Sequence, residues 1–330
     1  MSNEPLFSDP ILVAGFGSAG RRHFRNLWSL GYRNFVFLRS GQGVLDDAEI
    51  SGFPSTDKLE TAIAYQPKVA VVATPSSLHL GVALPLVEAG CDLYIEKPLS
   101  DNMDSIDRLL AVVLAQKRVA MVGCQFRFHP LLRALHSMVL EGRPGEVVGA
   151  SAEYGDYLPA WHPWEDHRRS YSARPEMGGG VILTLIHPLD YLYMLFGASR
   201  SVTAVTRRIS SLDTAAGEDW SDINIVFTSG IVAHVHIDYL QRPPVHRLNV
   251  IGETGRLLCD FNAGELTWQP AEGEISIYRV PPDFGRNTMF LDAMRHFLDC
   301  VGTRREPRIP LADGVAVLKM AVEARRATVA

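Results

Sequence analysis

The feature that most constrains this chain is the glycine-rich segment Gly15-Phe16-Gly17-Ser18-Ala19-Gly20, set between an apolar run at 11–14 and an amphipathic stretch that begins at 21. In that position a G-x-G-x-x-G joins a buried strand to a helix. Its first glycine permits a tight turn, its second lets a ligand approach the backbone, and its third lets helix pack closely on strand. The helix start offers free N–H groups and a partial positive charge to a diphosphate. All six residues are therefore expected to hold a dinucleotide.

The pattern around this segment repeats. Short apolar runs at 11–14, 35–38, 69–73, 93–95 and 119–122 alternate with helical stretches at 21–30, 78–89 and 103–116. Gly31 and Gly90 follow two of these helices, where a helix end favours glycine. Such alternation predicts β-α-β units and an α/β Rossmann domain, a doubly wound parallel sheet, over residues 1–123.

From 124 to 330 the texture changes. Helices are expected at 130–141, 181–196, 289–300 and 312–324, and strands at 146–157, 201–209, 223–228, 231–239, 247–251 and 257–260. Turn signals stand at Ser229-Gly230 and Thr254-Gly255. Consecutive strands with short turns predict an α+β substrate-binding domain with a large open, mostly antiparallel sheet. Exposed faces of such a sheet invite a homodimer or homotetramer.

Bulk properties narrow the functions. A length of 330 residues suits two domains, and 47% hydrophobic with 21% charged residues is an ordinary globular composition. A formal net charge of -5 gives no general attraction for nucleic acid or anionic lipid, so neither partner is expected. The first apolar run is too short for a signal segment or a membrane span, which places the chain in the cytoplasm as an expectation. Cys91, Cys124, Cys259 and Cys300 lie far apart without metal-ligand spacing, so no metal site is expected.

At the end of the second strand, where an acidic residue would accept hydrogen bonds from the ribose of NAD, stand Arg39 and Ser40. Both donate hydrogen bonds and Arg39 adds charge, which suits a 2′-phosphate. NADP is the expected cofactor, with NAD as the alternative.

Further along, Ala73-Thr74-Pro75-Ser76-Ser77-Leu78-His79, Glu96-Lys97-Pro98, Arg127-Phe128-His129-Pro130, Gly178-Gly179-Gly180, His187 and Asp190 follow one another in order. This series resembles the glucose-fructose oxidoreductase, inositol dehydrogenase and MocA (Gfo/Idh/MocA) family over nearly the whole chain. The resemblance implies an oxidoreductase, with Thr74, Pro75, His79 and Glu96 at the cofactor site. It implies Lys97 beside the nicotinamide, a cis Lys97-Pro98 bond, and His187 as general acid or base. Lys97 also follows an apolar strand at the sheet edge where open α/β folds bind ligands, and a partly desolvated ammonium there stabilises developing alkoxide. The imidazole suits proton transfer because its ordinary pKa lies near neutrality. One departure stands out: many members carry an aspartate four residues before this histidine, and here that residue is Leu183, with Thr184 the nearest polar side chain. The relay must be shorter, borrow Asp190 or a residue of another loop, or be absent.

Tyr157, Trp164, Arg168 and Tyr171 lie in a stretch that interleaves aromatic with hydrogen-bonding and cationic groups. With Arg127, Thr184 and His187 they form the candidate substrate set, suited to a sugar, a cyclitol or a nucleotide sugar. Two other readings remain open from the residues: a dinucleotide-binding sensor or assembly protein without turnover, and a reductase of a non-sugar imine or enone.

Overall fold

The computed structural model describes residues 6–41, 43, 45–163, 165–215 and 217–327. The chain divides into two compact units, Met1–Cys124 with Asn287–Val315, and Gln125–Arg286 with Ala316–Ala330.

The first unit is built on six parallel strands, β1 (Ile11–Ala14), β2 (Phe35–Leu38), β3 (Ser55–Thr56), β4 (Val69–Val72), β5 (Asp92–Glu96) and β6 (Ala120–Gly123), in the order β3-β2-β1-β4-β5-β6. Every residue of β1, β2, β4, β5 and β6 is buried, as a sheet covered on both faces requires. Its helices are α1 (Ser18–Ser29), α2 (Leu59–Ala64), α3 (His79–Glu88) and α4 (Ile106–Ala115). Helix α1 ends as the sequence suggests: Gly31 has φ +96°, its N–H bonds the Trp28 carbonyl, and the Tyr32 N–H bonds that of Leu27. Strand β3 and helix α2 were not expected. Two and six residues are too few to show a period.

The second unit holds α5 (Pro130–Leu140), β7 (Val147–Gly155), α6 (Val181–Thr184), α7 (His187–Phe196), β8 (Ser199–Arg207), β9 (Trp220–Phe227), β10 (Val232–Asp238), β11 (Val245–Gly252), β12 (Gly255–Asp260), β13 (Glu265–Pro270) and β14 (Ser276–Arg279). The eight strands run in the order β14-β13-β12-β11-β7-β10-β9-β8. Only the central β7–β10 pair is parallel; the other neighbours are antiparallel. Burial alternates along β9 and β11, so one face is packed and the other is open. Helix α5 packs on β12 and β13, α6 on β9 and β10, and α7 on β7 and β10.

The single helix expected at 181–196 is two helices, α6 and α7, and the chain bends by 54° between Pro175–Thr184 and His187–Phe196. Pro188 stands in the first turn of α7 and has no N–H to continue a ladder from α6, so the apolar run breaks at Leu185 and Ile186. No single described helix is long and apolar enough to cross a membrane, and the bent pair that approaches the length has its α6 and most of its α7 buried.

The last helices are α8 (Arg286–Thr303) and α9 (Leu311–Arg326). The sequence reading placed everything after 123 in the second domain, whereas residues 287–315 pack with the first unit. The reasons are specific. Phe297 meets Tyr94 at 5.6 Å, Arg304 pairs with the buried Asp92 at 2.6 Å, and Gly314 fits against Val122, where an added Cβ would approach to 2.6 Å.

Candidate active site

The three loop glycines in the first unit have distinct surroundings. Gly15 has φ +87°, and a Cβ there would stand 2.5 Å from the Ala73 carbonyl oxygen, so the turn tolerates only glycine. At Gly20 a Cβ would meet the Gly15 carbonyl oxygen at 2.0 Å, which fixes how closely α1 approaches the turn. Gly17 is different: nothing lies within 4 Å of where its Cβ would be. It is the N-cap of α1 and gives the first turn no side-chain hydrogen bond. The loop therefore leaves open space over its backbone at Gly17, where α1 begins. Phe16 is turned inward, edge-on to Phe37 at 5.0 Å, while Ser18 is exposed and Ala19 half-buried.

Thr74 follows β4 beside Gly15, and its hydroxyl is buried with no hydrogen-bond partner among the described residues. A buried hydroxyl without a partner is costly, so a ligand atom there would stabilise the loop. Pro75 follows it, half-buried, and His79 ties two loops together: its ring nitrogens lie 2.9 Å from the Thr74 and Pro98 carbonyl oxygens. Burial depresses the His79 pKa despite these oxygens.

Glu96 and Lys97 diverge at the end of β5. The Lys97-Pro98 bond is cis. Glu96 is buried and turned to α1, where its Oε1 lies 2.6 Å from His23 Nε2, and its Oε2 accepts a hydrogen bond from the Lys97 N–H. Burial alone would raise the Glu96 pKa; the His23 hydrogen bond and charge outweigh it, and the carboxyl is held below its usual range. Lys97 is half-buried. Arg39, after β2, is half-buried and ion-paired with Asp47, and Ser40 is exposed.

In the second unit, His187 opens α7 with its Nε2 3.2 Å from the Gln125 amide and its ring 4.7 Å from Phe126. Asp190, one turn on, is 1% exposed and engaged by Arg127, which donates from Nη2 at 2.7 Å and from Nε at 3.0 Å. Both expected functions, Asp190 in the relay and Arg127 on substrate, therefore fall on groups joined in one buried ion pair. Leu183 is fully buried, and Thr184 reaches the Tyr239 hydroxyl. His246 stacks on Tyr154 at 4.0 Å, and burial pushes its pKa down to about 3, so this ring is neutral near pH 7.

The remaining candidates are dispersed. Tyr157 lies under the Arg242 guanidinium at 4.1 Å, Arg168 is exposed and bonded to Asp166 at 2.6 Å, and Tyr171 is half-buried. Trp164 lies outside the described residues. The sequence reading missed His23, Gln125 and His246. His23 could have been found as the one ionisable side chain three residues after Gly20 on the inward stripe Gly20, His23, Phe24, Leu27.

A six-stranded parallel sheet with a glycine-rich loop between its first strand and first helix is the architecture of the dinucleotide-binding Rossmann domains. Comparison with known proteins specifies which. Residues 10–124 match the oxidoreductase family with an NAD-binding Rossmann fold, and residues 132–258 match the GFO/IDH/MocA C-terminal domain. The chain belongs to the Gfo/Idh/MocA family of oxidoreductases. It is 24% identical over 300 residues, 88% of this chain and 84% of the relative, to 1,5-anhydro-D-fructose reductase from Ensifer adhaerens. It is 24% identical over 276 residues, 79% and 77% of the two chains, to trans-1,2-dihydrobenzene-1,2-diol dehydrogenase from Mus musculus. A solved levoglucosan dehydrogenase, complexed with NADH and levoglucosan, superposes with a TM-score of 0.83 at 18% identity over 97% of this chain and 96% of that one.

Proposed function

We propose that this protein interconverts a secondary hydroxyl and a carbonyl on a sugar, cyclitol or nucleotide-sugar-like substrate, with NADP favoured over NAD. The observation that carries the reading is the cradle: an open Gly17, an N-cap without a side-chain bond, and the unpartnered Thr74 hydroxyl. The residues fit a dinucleotide diphosphate along Gly15 to Gly20, with Thr74, Pro75 and His79 shaping the next loop and Arg39 and Ser40 as the candidate donors to a 2′-phosphate. The sugar-like substrate follows the names of relatives that act on anhydro sugars, with Arg127, Tyr157, Trp164, Arg168, Tyr171 and Thr184 as the substrate set.

When bound, the nicotinamide takes up or gives two electrons and a hydrogen at C4. Lys97 donates a hydrogen bond to the substrate oxygen and stabilises negative charge there as the hydroxyl proton leaves. His187 exchanges that proton at a ring nitrogen, and the Gln125 amide fixes the ring. With Leu183 in place of an acid, Asp190 acts through α7: paired to Arg127, it holds the turn that carries Gln125 against the helix that carries His187. Glu96, held by His23, sets the backbone from which Lys97 projects. We further propose a cytoplasmic homodimer or homotetramer. Four buried thiols suit a reducing compartment, and Val205, Val232 and Ile251 are exposed on the eight-stranded sheet. The dihydrodiol relative favours a second reading, oxidation of a non-sugar cyclic diol by the same residues.

The test is Lys97→Met with a panel of sugars, cyclitols and cyclic diols. Turnover is expected to fall by about a hundredfold or more while NADPH affinity stays within about twofold. Retained turnover removes Lys97 from the chemistry.

A further inference from the structure

Arg39 is not a bare cation. Its Nη2 is ion-paired with Asp47, and Asp47 is in turn bonded at 2.8 Å by Nη2 of Arg21. Arg21 is 6% exposed and held at both terminal nitrogens: Nη1 donates to Glu49 at 2.6 Å, Nη2 reaches the Leu45 carbonyl at 3.1 Å, and the guanidinium lies 4.3 Å over the Phe16 ring. Arg25 holds the other Glu49 oxygen at 2.9 Å. Leu45, Asp47 and Glu49 are thus held by two arginines of α1, and Asp47 presents one carboxylate to Arg39.

This arrangement bears on the end of β2, where a Rossmann domain distinguishes a ribose diol from a 2′-phosphate. A 2′-phosphate that seeks Arg39 meets a carboxylate already paired with that guanidinium, so it must displace the pair or suffer like-charge repulsion. A ribose diol meets no such repulsion and finds in Asp47 an acceptor. We propose that Asp47 is a specificity-determining residue that restrains Arg39 and sets the balance between NAD and NADP. The inference rests on the dinucleotide reading above.

The experiment is equilibrium titration of NADPH and NADH, read by nucleotide fluorescence, on the full chain and on Asp47→Asn, which keeps the shape and removes the charge. The ratio of affinities is expected to move toward NADPH by about tenfold, the scale of one charge-assisted hydrogen bond. Competition by adenosine 2′,5′-bisphosphate should strengthen with it, and competition by AMP should not. In an Arg39→Ala background the same change should give a smaller gain, because the part that comes from releasing Arg39 is absent. Glu49→Gln, which removes a carboxylate of the cluster that does not touch Arg39, should move the ratio by less than about twofold. An unchanged ratio in Asp47→Asn, or an equal shift from Glu49→Gln, overturns the inference and leaves dinucleotide binding intact. Failure of the unaltered chain to bind either dinucleotide overturns both.

Discussion

The two sheets of this chain solve burial in opposite ways. The six-stranded sheet has helices on both faces, and the charged groups used there, Arg39, Glu96 and Lys97, appear only where strands end. The eight-stranded sheet has one packed face and one open face, and ionisable groups are built in on both sides. On the packed side, between α7 and the turn at 125–128, lies the Arg127–Asp190 pair, 3% and 1% exposed in their side chains. On the open face His236 of β10 stands between Asp222 of β9 and Asp238, at 2.8 and 3.1 Å, with Glu153 of β7 opposite it in register. A sheet that is apolar throughout displays its chemistry at its edge; a sheet with a polar face builds charge into its own structure.

Breaking the covered pair gives the larger effect. Arg127→Ala leaves a carboxylate buried without its guanidinium, and urea unfolding should show a loss of about 3–5 kcal/mol in the second unit. Dinucleotide titration, which reports on the first unit, should change little. Replacing both partners, Arg127→Met with Asp190→Leu, should recover much of the stability while activity stays low. Equal stability of Arg127→Ala and the parent chain would erase the distinction between the faces.

The open face gives a smaller, pH-dependent effect. The His236 pKa is raised from 6.5 to about 9, first by its bond to Asp238, against burial, with Asp222 adding to the rise. A raised folded value means that the stabilisation is complete below the unfolded pKa near 6.5 and is lost as pH rises through about 9. Solvent screening limits it to on the order of 1 kcal/mol. Thermal melts should therefore decline across that window in the parent chain and less so in His236→Gln. Parallel declines would assign the slope to other groups.

The same contrast explains what could be read from the residues alone. Five strands of the parallel sheet, β1, β2, β4, β5 and β6, are runs of four or five buried residues, and each was visible; the two-residue β3 was not. In the second sheet β9 to β12 were visible through alternation, but β13 and β14 were not, because Leu266 is the only buried residue in either. The break at Leu185 and Ile186 was hidden inside a continuous apolar run, although Pro188 marked it. Likewise, Gly15, Gly17 and Gly20 were legible because their spacing encodes three different steric demands. The Asp47–Arg39 pair was not, since nothing in the order of residues tells which carboxylate of a loop folds back on which guanidinium. The return of 287–315 to the first unit depends on long-range contacts such as Arg304 with Asp92, which no local pattern announces.

The most direct measurement exploits the one loop glycine whose Cβ has room. Gly17→Val adds a side chain to open space at a residue with φ -77°, so the chain should fold with an unchanged Tm. That side chain would occupy the diphosphate's place. Calorimetric titration with NADPH and NADH should give binding to the parent chain and none to Gly17→Val. A folded Gly17→Val that binds either dinucleotide as tightly as the parent would show that the cradle at Gly15 to Gly20 is not where the diphosphate rests.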